Sequence, residues 1–495
     1  MTSRDRLSTS ALAGSLRAPG AILLVSFYEL GHQPLGIASP AAFLERAGFS
    51  PAALDLSVEP IDPERVAAAR LIGISVPMHT ALRLGVRAAE QLAGLKPQAH
   101  VCFFGLYAGL NAAWLLDHGG DSAIGGEFEA PLVSLAEALD AGRPAPPEVS
   151  VAGRIAGPHL QRLDFPAPAR DLLPPLARYA RLDHGGTFGQ VGYVEASRGC
   201  RHLCLHCPIP PAYEGRFFAI PREVVLADVA RLVELGARHI TFGDPDFLNA
   251  PTHSLKIVRA MHAEFPELTF DFTAKVEHIL EHRSHFADLA TLGGLFMVSA
   301  VESLSDIVLV NLVKGHTRAD VFAALEIVRG AGMTMRPSLV TFTPWTTLDD
   351  YLEVLEWIER EDLVDHVEPV QLSIRLLLPP GSLLLERAAI QPHLGEFDAA
   401  SFQHRWTHPD PRMDRLHAEV GALVAEATRT AEDPRITIRR VRDTALALAG
   451  RAKGTHAGVT SLEAEGTLDA AAMSNWIAAP ARRHRAPRLT EPWFC

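Results

Sequence analysis

Cys200-Arg201-His202-Leu203-Cys204-Leu205-His206-Cys207 decides how the rest of the chain is read. It gathers three of the five cysteines of a 495-residue sequence in a C-x3-C-x2-C pattern. A cubane 4Fe-4S cluster takes thiolates from a short loop that wraps one of its faces, and three cysteines leave one iron without a protein ligand. An open iron is a place for chemistry. Three other readings compete: a Cys3His zinc site using His202 or His206, a disulfide with a spare thiol, and three unrelated buried cysteines. Structural zinc sites usually draw on two separated ligand pairs, and no second cysteine pair at C-x2-C spacing occurs in the chain. A chain with ample core and no secretory leader has little use for a disulfide.

The cysteines follow the strand-like run Val191-Gly192-Tyr193-Val194-Glu195-Ala196-Ser197. Together these residues resemble the signature of the radical S-adenosylmethionine (SAM) superfamily. The resemblance implies that Cys200, Cys204 and Cys207 hold the cluster and that SAM chelates the free iron. Reductive cleavage of SAM then gives methionine and a 5′-deoxyadenosyl radical. The superfamily often carries an aromatic residue before the last cysteine, near the adenine; His206, also planar, stands there.

Downstream, apolar runs alternate with helical ones. Strands are expected at 191–196, 239–242, 269–273, 296–300, 335–341 and 367–374, as in the partial (β/α)6 barrel of the superfamily, whose reactive groups sit at the carboxyl ends of the strands. Gly243 and Asp244, in Gly243-Asp244-Pro245-Asp246-Phe247, resemble loosely the Gly-Gly-Glu segment that holds the cofactor's amino group; a plain turn would have the same composition. Glu302 and Ser303, followed by Lys314-Gly315-His316-Thr317, are similar to segments that meet the cofactor's ribose, with Leu304 in place of a common glycine. Ser338 and Thr341 are expected near the adenine and ribose, although an apolar strand ending at Pro344-Trp345 also reads as core. Lys275, Glu277, His278 and Arg375 are candidates for substrate or proton handling.

Toward the amino terminus, expected strands at 22–27, 53–56, 71–75, 101–104 and 122–124, with helices at 40–47, 80–95 and 108–116, describe a flavodoxin-like doubly wound sheet. Its ligand loops would be Tyr28–His32, Val76–His79, Gly105–Tyr107 and Gly125–Glu127. This resembles the cobalamin-binding domain that precedes the barrel in many superfamily members. The cobalt-ligating Asp-x-His-x-x-Gly motif is absent, because His32 follows Glu29 at the wrong spacing.

The expected organisation is therefore α/β: a flavodoxin-like cobalamin-binding-like domain (20–140), a linker strap (141–187), the partial barrel (188–400) and a helical carboxyl-terminal region (401–495). Tyr179 in the strap is expected near the active-site mouth. A net charge of -12 disfavours a nucleic-acid-coating role, and no apolar run has the length of a membrane span, so a cytoplasmic protein is expected. Arg482-Arg483-His484-Arg485 reads as a solvated basic run. Thr490-Glu491-Pro492-Trp493-Phe494-Cys495 resembles the start of a Cys-selenocysteine-Ala-Glu-Pro tail, which would make the protein a selenoprotein continuing past a UGA codon. The expected activity is that of a radical SAM enzyme, with methylation of an unactivated carbon if cobalamin binds. Rearrangement or sulfur insertion is expected without it, and a noncatalytic metal-stapled module is the rival. Expected partners are a small-molecule or peptide substrate and an electron donor such as a flavodoxin or ferredoxin.

Overall fold

The computed structural model describes residues 14–451 and 486–491. The amino-terminal sheet comprises β1 (Ile22–Ser26), β2 (Ala52–Asp55), β3 (Leu71–Ser75), β4 (His100–Phe104) and β5 (Ser122–Ile124). All are parallel, in the order β2-β1-β3-β4-β5. The strands read as unbroken apolar runs because both faces are covered. Side chains alternate across the sheet. Ile22 and Leu24 meet the helices Leu35–Arg46 and Glu129–Asp140, while Leu23 and Val25 share the opposite core with Leu82 and Leu92 of the helix His79–Leu95. Each such leucine contributes about 1.5–3 kcal/mol by leaving water.

Two expected helices differ. The first begins at Leu35, not Pro40, and carries Pro40 in its interior. Proline favours the first helical turn, which makes Pro40 look like a start. The expected helix at 108–116 is broken into Leu106–Leu110 and Ala112–Asp117 at Asn111, whose side-chain amide donates to the Tyr107 carbonyl at 2.8 Å. The first piece passes so close to the loop after β5 that a Cβ on Gly109 would lie 3.0 Å from the Gly125 Cα.

The strap between the two sheets is pinned at several points. Arg170 is buried; its Nε and one terminal nitrogen donate to Asp228 at 2.8 Å each, and another terminal nitrogen faces Gln33. Tyr179 donates to Asp55 Oδ2 at 2.8 Å. It therefore packs on the end of β2 in the first sheet and is not among the residues that line the cleft at whose mouth it was expected. The stretch expected to be strap also contains a strand, β6 (Arg181–His184), which forms a hairpin with β7 (Thr187–Val194). Gly185 and Gly186 make its two-residue turn with φ of 61° and 83°, a conformation that favours glycine.

Beyond it lie β8 (Ser197–Gly199), β9 (Phe217–Ala219), β10 (His239–Phe242), β11 (Thr269–Ala274), β12 (Gly294–Glu302) and β13 (Thr334–Leu339). The second sheet runs β13-β12-β11-β10-β7 in parallel and is extended by antiparallel β6 and by β16 (Arg488–Leu489). The expected sixth barrel strand does not form. Residues Pro369–Ser373 are a 3-10 helix, joined near the sheet only by a bridge between Phe342 and Arg375. Pro369 has no N–H to offer a ladder, and the Gln371 side-chain carbonyl accepts the Leu339 N–H at 2.8 Å in place of a backbone partner.

Leu394–Asp398 (β14) and Gln403–Trp406 (β15) form an unexpected hairpin whose tip reaches the first sheet's side: the His79 ring bonds the Ser401 carbonyl at 2.7 Å. The helices Pro411–Thr430 and Pro434–Leu448 then bury Met413, Leu416, Val420, Ile438 and Val441 in the barrel core. The molecule is thus α/β, with a doubly covered parallel sheet, a curled second sheet and a helical carboxyl-terminal region. Among the described residues, no helix is long and apolar enough to cross a membrane. Arg482–Arg485 and Cys495 lie outside the described residues.

Candidate active site

The three cysteines sit where β7 and β8 end. Gly199, at φ 72°, turns the chain into the loop, and the antiparallel pair β8–β9 frames it. Cys200 and Cys204 are buried, Cys207 is half-buried, and all three are free thiols. The Cys207 N–H donates to the Cys204 carbonyl at 3.3 Å, which curls the loop, and Asn249 approaches the Cys200 sulfur. Burial pushes the Cys207 thiol up to about 12 and raises Cys200 as well. Such thiols ionise when a metal cation or cluster sits among them and supplies the compensating charge.

Beside them stands a buried ion pair. Glu302, the last residue of β12, adopts φ 63°; its Oε1 accepts from Lys314 Nζ at 3.0 Å and faces His206 Nε2 at 3.3 Å. Burial disfavours a charged Glu302, but Lys314 and His206 outweigh it and hold the carboxyl well below the usual range. Burial would lower Lys314; Glu302 and the thiols of Cys204 and Cys207 raise it instead. A buried ammonium next to two thiols suits a site that carries negative charge when filled.

The expected residues separate into two groups. Cys200, Cys204, Cys207, His206, Gly243, Asp244, Glu302 and Ser338 all line one cleft. Ser303 and Thr341 point into the fold: Ser303 Oγ accepts the Ser305 N–H at 3.1 Å, and Thr341 Oγ1 donates to the Gln371 carbonyl at 3.1 Å. Asp244 braces the loop, accepting the Ala196 N–H at 2.9 Å and the Ser197 hydroxyl, and burial pushes it up to about 7 against those bonds. Gly243 is required by Tyr193, whose ring occupies the space a Cβ would take.

Lys275 lines the cleft and is paired with Glu277 at 3.0 Å. His278 is held by Asp246 at 2.9 Å and meets His202 of the cysteine loop at 3.0 Å. Arg375 is tied to Asp414 at 2.8 Å and stacks 3.5 Å over Trp406. The sequence reading missed Lys314 and Asn249 as neighbours of the cysteines. Lys314 stands in Lys314-Gly315-His316-Thr317, but nothing local shows that it folds onto Glu302.

The same cleft is walled on its other side by Leu30, His32, Pro77, Met78, His79, Leu106 and Tyr107, from the loops after β1, β3 and β4. The fourth expected loop is absent from the wall: Glu127 turns to Arg198 and to Tyr213, which donates to it at 3.0 Å. His32 is buried, stacks on Tyr193 at 4.7 Å, and has no partner for either ring nitrogen among the described residues; burial pushes it down to about 4. The cleft encloses ≈ 2340 Å³, open mouth included. It extends along β12 from Phe296 to Glu302, about 20 Å at the usual rise per strand residue.

Residues 194–358, from the end of β7 to the helix after β13, match the family model described as the radical SAM superfamily. The chain carries a radical SAM domain. That domain is the part that uses a 4Fe-4S cluster and SAM, and the three-cysteine loop lies at its start. The chain is also 28% identical over 331 residues to the hopanoid C-3 methylase of Methylococcus capsulatus, a match covering 63% of this chain and 62% of that protein. The chain therefore spans less than two thirds of that relative's length. Among solved structures it is similar to the radical SAM methyltransferase TsrM from Kitasatospora setae with tryptophan and a SAM analogue bound, at TM-score 0.62 and 16% identity over 81% of this chain and 88% of that one. It is likewise similar to the cobalamin-dependent SAM radical enzyme OxsB with aqua-cobalamin bound, at TM-score 0.66 and 14% identity over 86% and 72%. These likenesses place the radical SAM domain and the sheet before it in the same arrangement of folds.

Proposed function

We propose that the chain is a cobalamin-dependent radical SAM methyltransferase whose flavodoxin-like sheet, β1 to β5, holds the corrinoid. One observation carries this reading: a single cleft has the three thiols on one wall and the carboxyl-end loops of the parallel sheet on the other. Ligands of doubly wound sheets bind at those loops. Leu30, Pro77, Met78, Leu106 and Tyr107 offer the broad, largely apolar wall that a flat macrocycle needs. The residues present therefore fit both groups. Bound there, the cluster and SAM supply a 5′-deoxyadenosyl radical and cobalamin supplies a methyl group.

The chain's own contribution is binding and positioning. Cys200, Cys204 and Cys207 would ligate the cluster. Glu302, fixed by Lys314 and His206, keeps Oε2 free of both bonds and would take the ribose hydroxyls of SAM. Gly243 leaves room for the Tyr193 ring in the cleft wall, and Asp244 holds the strand end that launches the cysteine loop. Ser338 lies in the wall beside the expected nucleoside. The substrate enters the same cleft, and a one-electron donor serves the cysteine loop from outside.

The test is anaerobic reconstitution followed by gel filtration with hydroxocobalamin, on wild type and on Leu106→Arg. The reading expects corrinoid to co-elute with the wild type and not with the variant, while both still form 5′-deoxyadenosine. Radical formation without corrinoid binding would reduce the reading to a cobalamin-independent radical enzyme.

A further inference from the structure

The cleft has a floor distinct from the end assigned to SAM. Strands β7, β10, β11 and β12 bring Tyr193, Thr241, Asp271 and Phe296 into one row across the sheet. Glu302 stands six residues further along β12, about 20 Å away at the usual rise. His32, from the loop after β1, reaches into this row. It stacks on Tyr193 at 4.7 Å, is 3% exposed and lines the cleft, yet neither ring nitrogen has a partner among the described residues. Burial pushes its pKa down to about 4, so the ring is neutral at pH 7 and carries one donor and one acceptor. Buried polar atoms are nearly always paired, so an orphaned ring in a cleft wall is a place for a ligand to complete.

The charges around the cleft are unequal. Its lysines and arginines are already paired: Lys275 with Glu277 at 3.0 Å, Lys314 with Glu302 at 3.0 Å, Arg336 with Glu368 at 2.9 Å and Arg375 with Asp414 at 2.8 Å. Two lining carboxylates have no lysine or arginine among the described residues. Asp271 receives the His239 ring at 2.8 Å and the Thr241 hydroxyl at 2.6 Å, both on Oδ1, which leaves Oδ2 without a bond there. Glu491 accepts only the Tyr28 hydroxyl, at 3.2 Å on Oε1. The tail holds Glu491 in place: the Thr490 N–H donates to the Arg181 carbonyl at 2.8 Å. Gly31, next to His32, passes so close that a Cβ there would lie 2.6 Å from the Glu491 Cβ.

We propose that this floor holds a protonated amine of the substrate, with Asp271 and Glu491 as its acceptors and His32 as the neutral partner that orients it. The inference rests on the methyltransferase reading above, which makes the cleft an active site, and adds the class of molecule that enters. Between the floor and Glu302 the wall is Phe296, Val298 and Ala300, so the amine carries an apolar body that runs toward the thiols. A carboxylate in its place would face two carboxylates, and an apolar end would leave His32 and Asp271 unpaired.

The test uses three probes of one length, hexylammonium, 1-hexanol and hexanoate, titrated calorimetrically into the anaerobically reconstituted full chain with SAM present. Wild type should bind hexylammonium about tenfold or more tightly than either other probe, which is what one charge-assisted hydrogen bond supplies. Glu491→Gln and Asp271→Asn should each remove most of that preference. Equal or tighter binding of 1-hexanol or hexanoate by wild type, or no binding of any probe, would overturn the proposal. So would an unchanged preference in either variant; if Asp271→Asn fails to fold, Glu491→Gln at the tail decides. A nitrogen splitting in the cob(II)alamin electron paramagnetic resonance spectrum that disappears in His32→Phe would make His32 a cobalt ligand and overturn its place in the floor. If wild type gives no 5′-deoxyadenosine with titanium(III) citrate, the radical reading fails, and the probe comparison still decides what the floor binds.

Discussion

Lys314 lies twelve residues after Glu302, yet its ammonium sits 3.0 Å from the Glu302 carboxylate beneath the three-cysteine loop, both groups buried. The left-handed Glu302 ends β12, and the helix Asp306–Leu312 brings the chain back over it. Removing one partner of a buried pair strands the other charge, at a cost of about 3–5 kcal/mol. Lys314→Met should lower the thermal transition accordingly, and Lys314→Met/Glu302→Gln should recover much of the loss. Equal damage from single and double variants would mean that the pair does not act as a unit. SAM binding should stay weak in both, since each alters the carboxylate assigned to the ribose.

Arg198 joins the two sheets. It is buried, and its guanidinium meets Glu129 at 2.7 Å, Glu195 at 2.7 Å and Glu127 at 3.6 Å. Burial pushes Glu127 up to about 7, with Arg198 pulling the other way. Arg198→Met leaves the carboxylates facing one another. It should cost about 3–5 kcal/mol and loosen the junction, read as faster proteolysis between the sheets. Differential scanning calorimetry that found no loss would contradict this.

Glu29 makes stability depend on pH. Burial, aided by Asp55 and Glu195 and opposed by the Gly36 N–H, raises its carboxyl to about 8, whereas an unfolded glutamate ionises near 4.5. The folded state therefore binds the extra proton between those values. Its contribution is complete below the lower value and is lost as pH rises through the upper one. Glu29→Gln, which mimics the protonated side chain, should flatten the fall in stability between about pH 5 and pH 8. An unchanged slope would show that Glu29 does not carry it.

Gly243 faces the Tyr193 ring, so Gly243→Ala must displace that ring and the His32 stacked on it. Overpacking of this kind costs about 1–3 kcal/mol, and here it also deforms the cleft wall. SAM binding measured by calorimetry should weaken. Gly157→Ala, with nothing near its Cβ, serves as the control and should bind as wild type.

The sequence made the parallel sheets and the cysteine loop readable for a local reason. Runs such as Ile22–Val25 and Leu71–Ile74 are apolar throughout because both faces are covered, and the C-x3-C-x2-C spacing belongs to one loop. What escaped depends on contacts between distant residues. Pro369–Ser373 looked like a strand until Gln371 took the Leu339 N–H with its side chain. Tyr179 is expected near the active-site mouth, but its hydroxyl is taken by Asp55 at the end of β2. Ser303 and Thr341 have the right chemistry at strand ends, but neither lines the cleft: the Ser303 hydroxyl accepts the Ser305 N–H and the Thr341 hydroxyl donates to the Gln371 carbonyl. The Gly185-Gly186 hairpin was the one missed element with a local signal. Arg488–Leu489 pairs with β6, and Glu491 reaches the cleft, so the tail closes the sheet's edge; no sequence pattern announces that.

The central claim is that Cys200, Cys204 and Cys207 hold a redox-active cluster that cleaves SAM. Iron, sulfide and zinc should be counted after anaerobic reconstitution of wild type and Cys204→Ala, with 5′-deoxyadenosine measured on adding SAM and titanium(III) citrate. The account predicts about four irons with sulfide per wild-type chain, 5′-deoxyadenosine from the wild type, and loss of both in the variant. One zinc per chain, no sulfide and no 5′-deoxyadenosine from the wild type would contradict it.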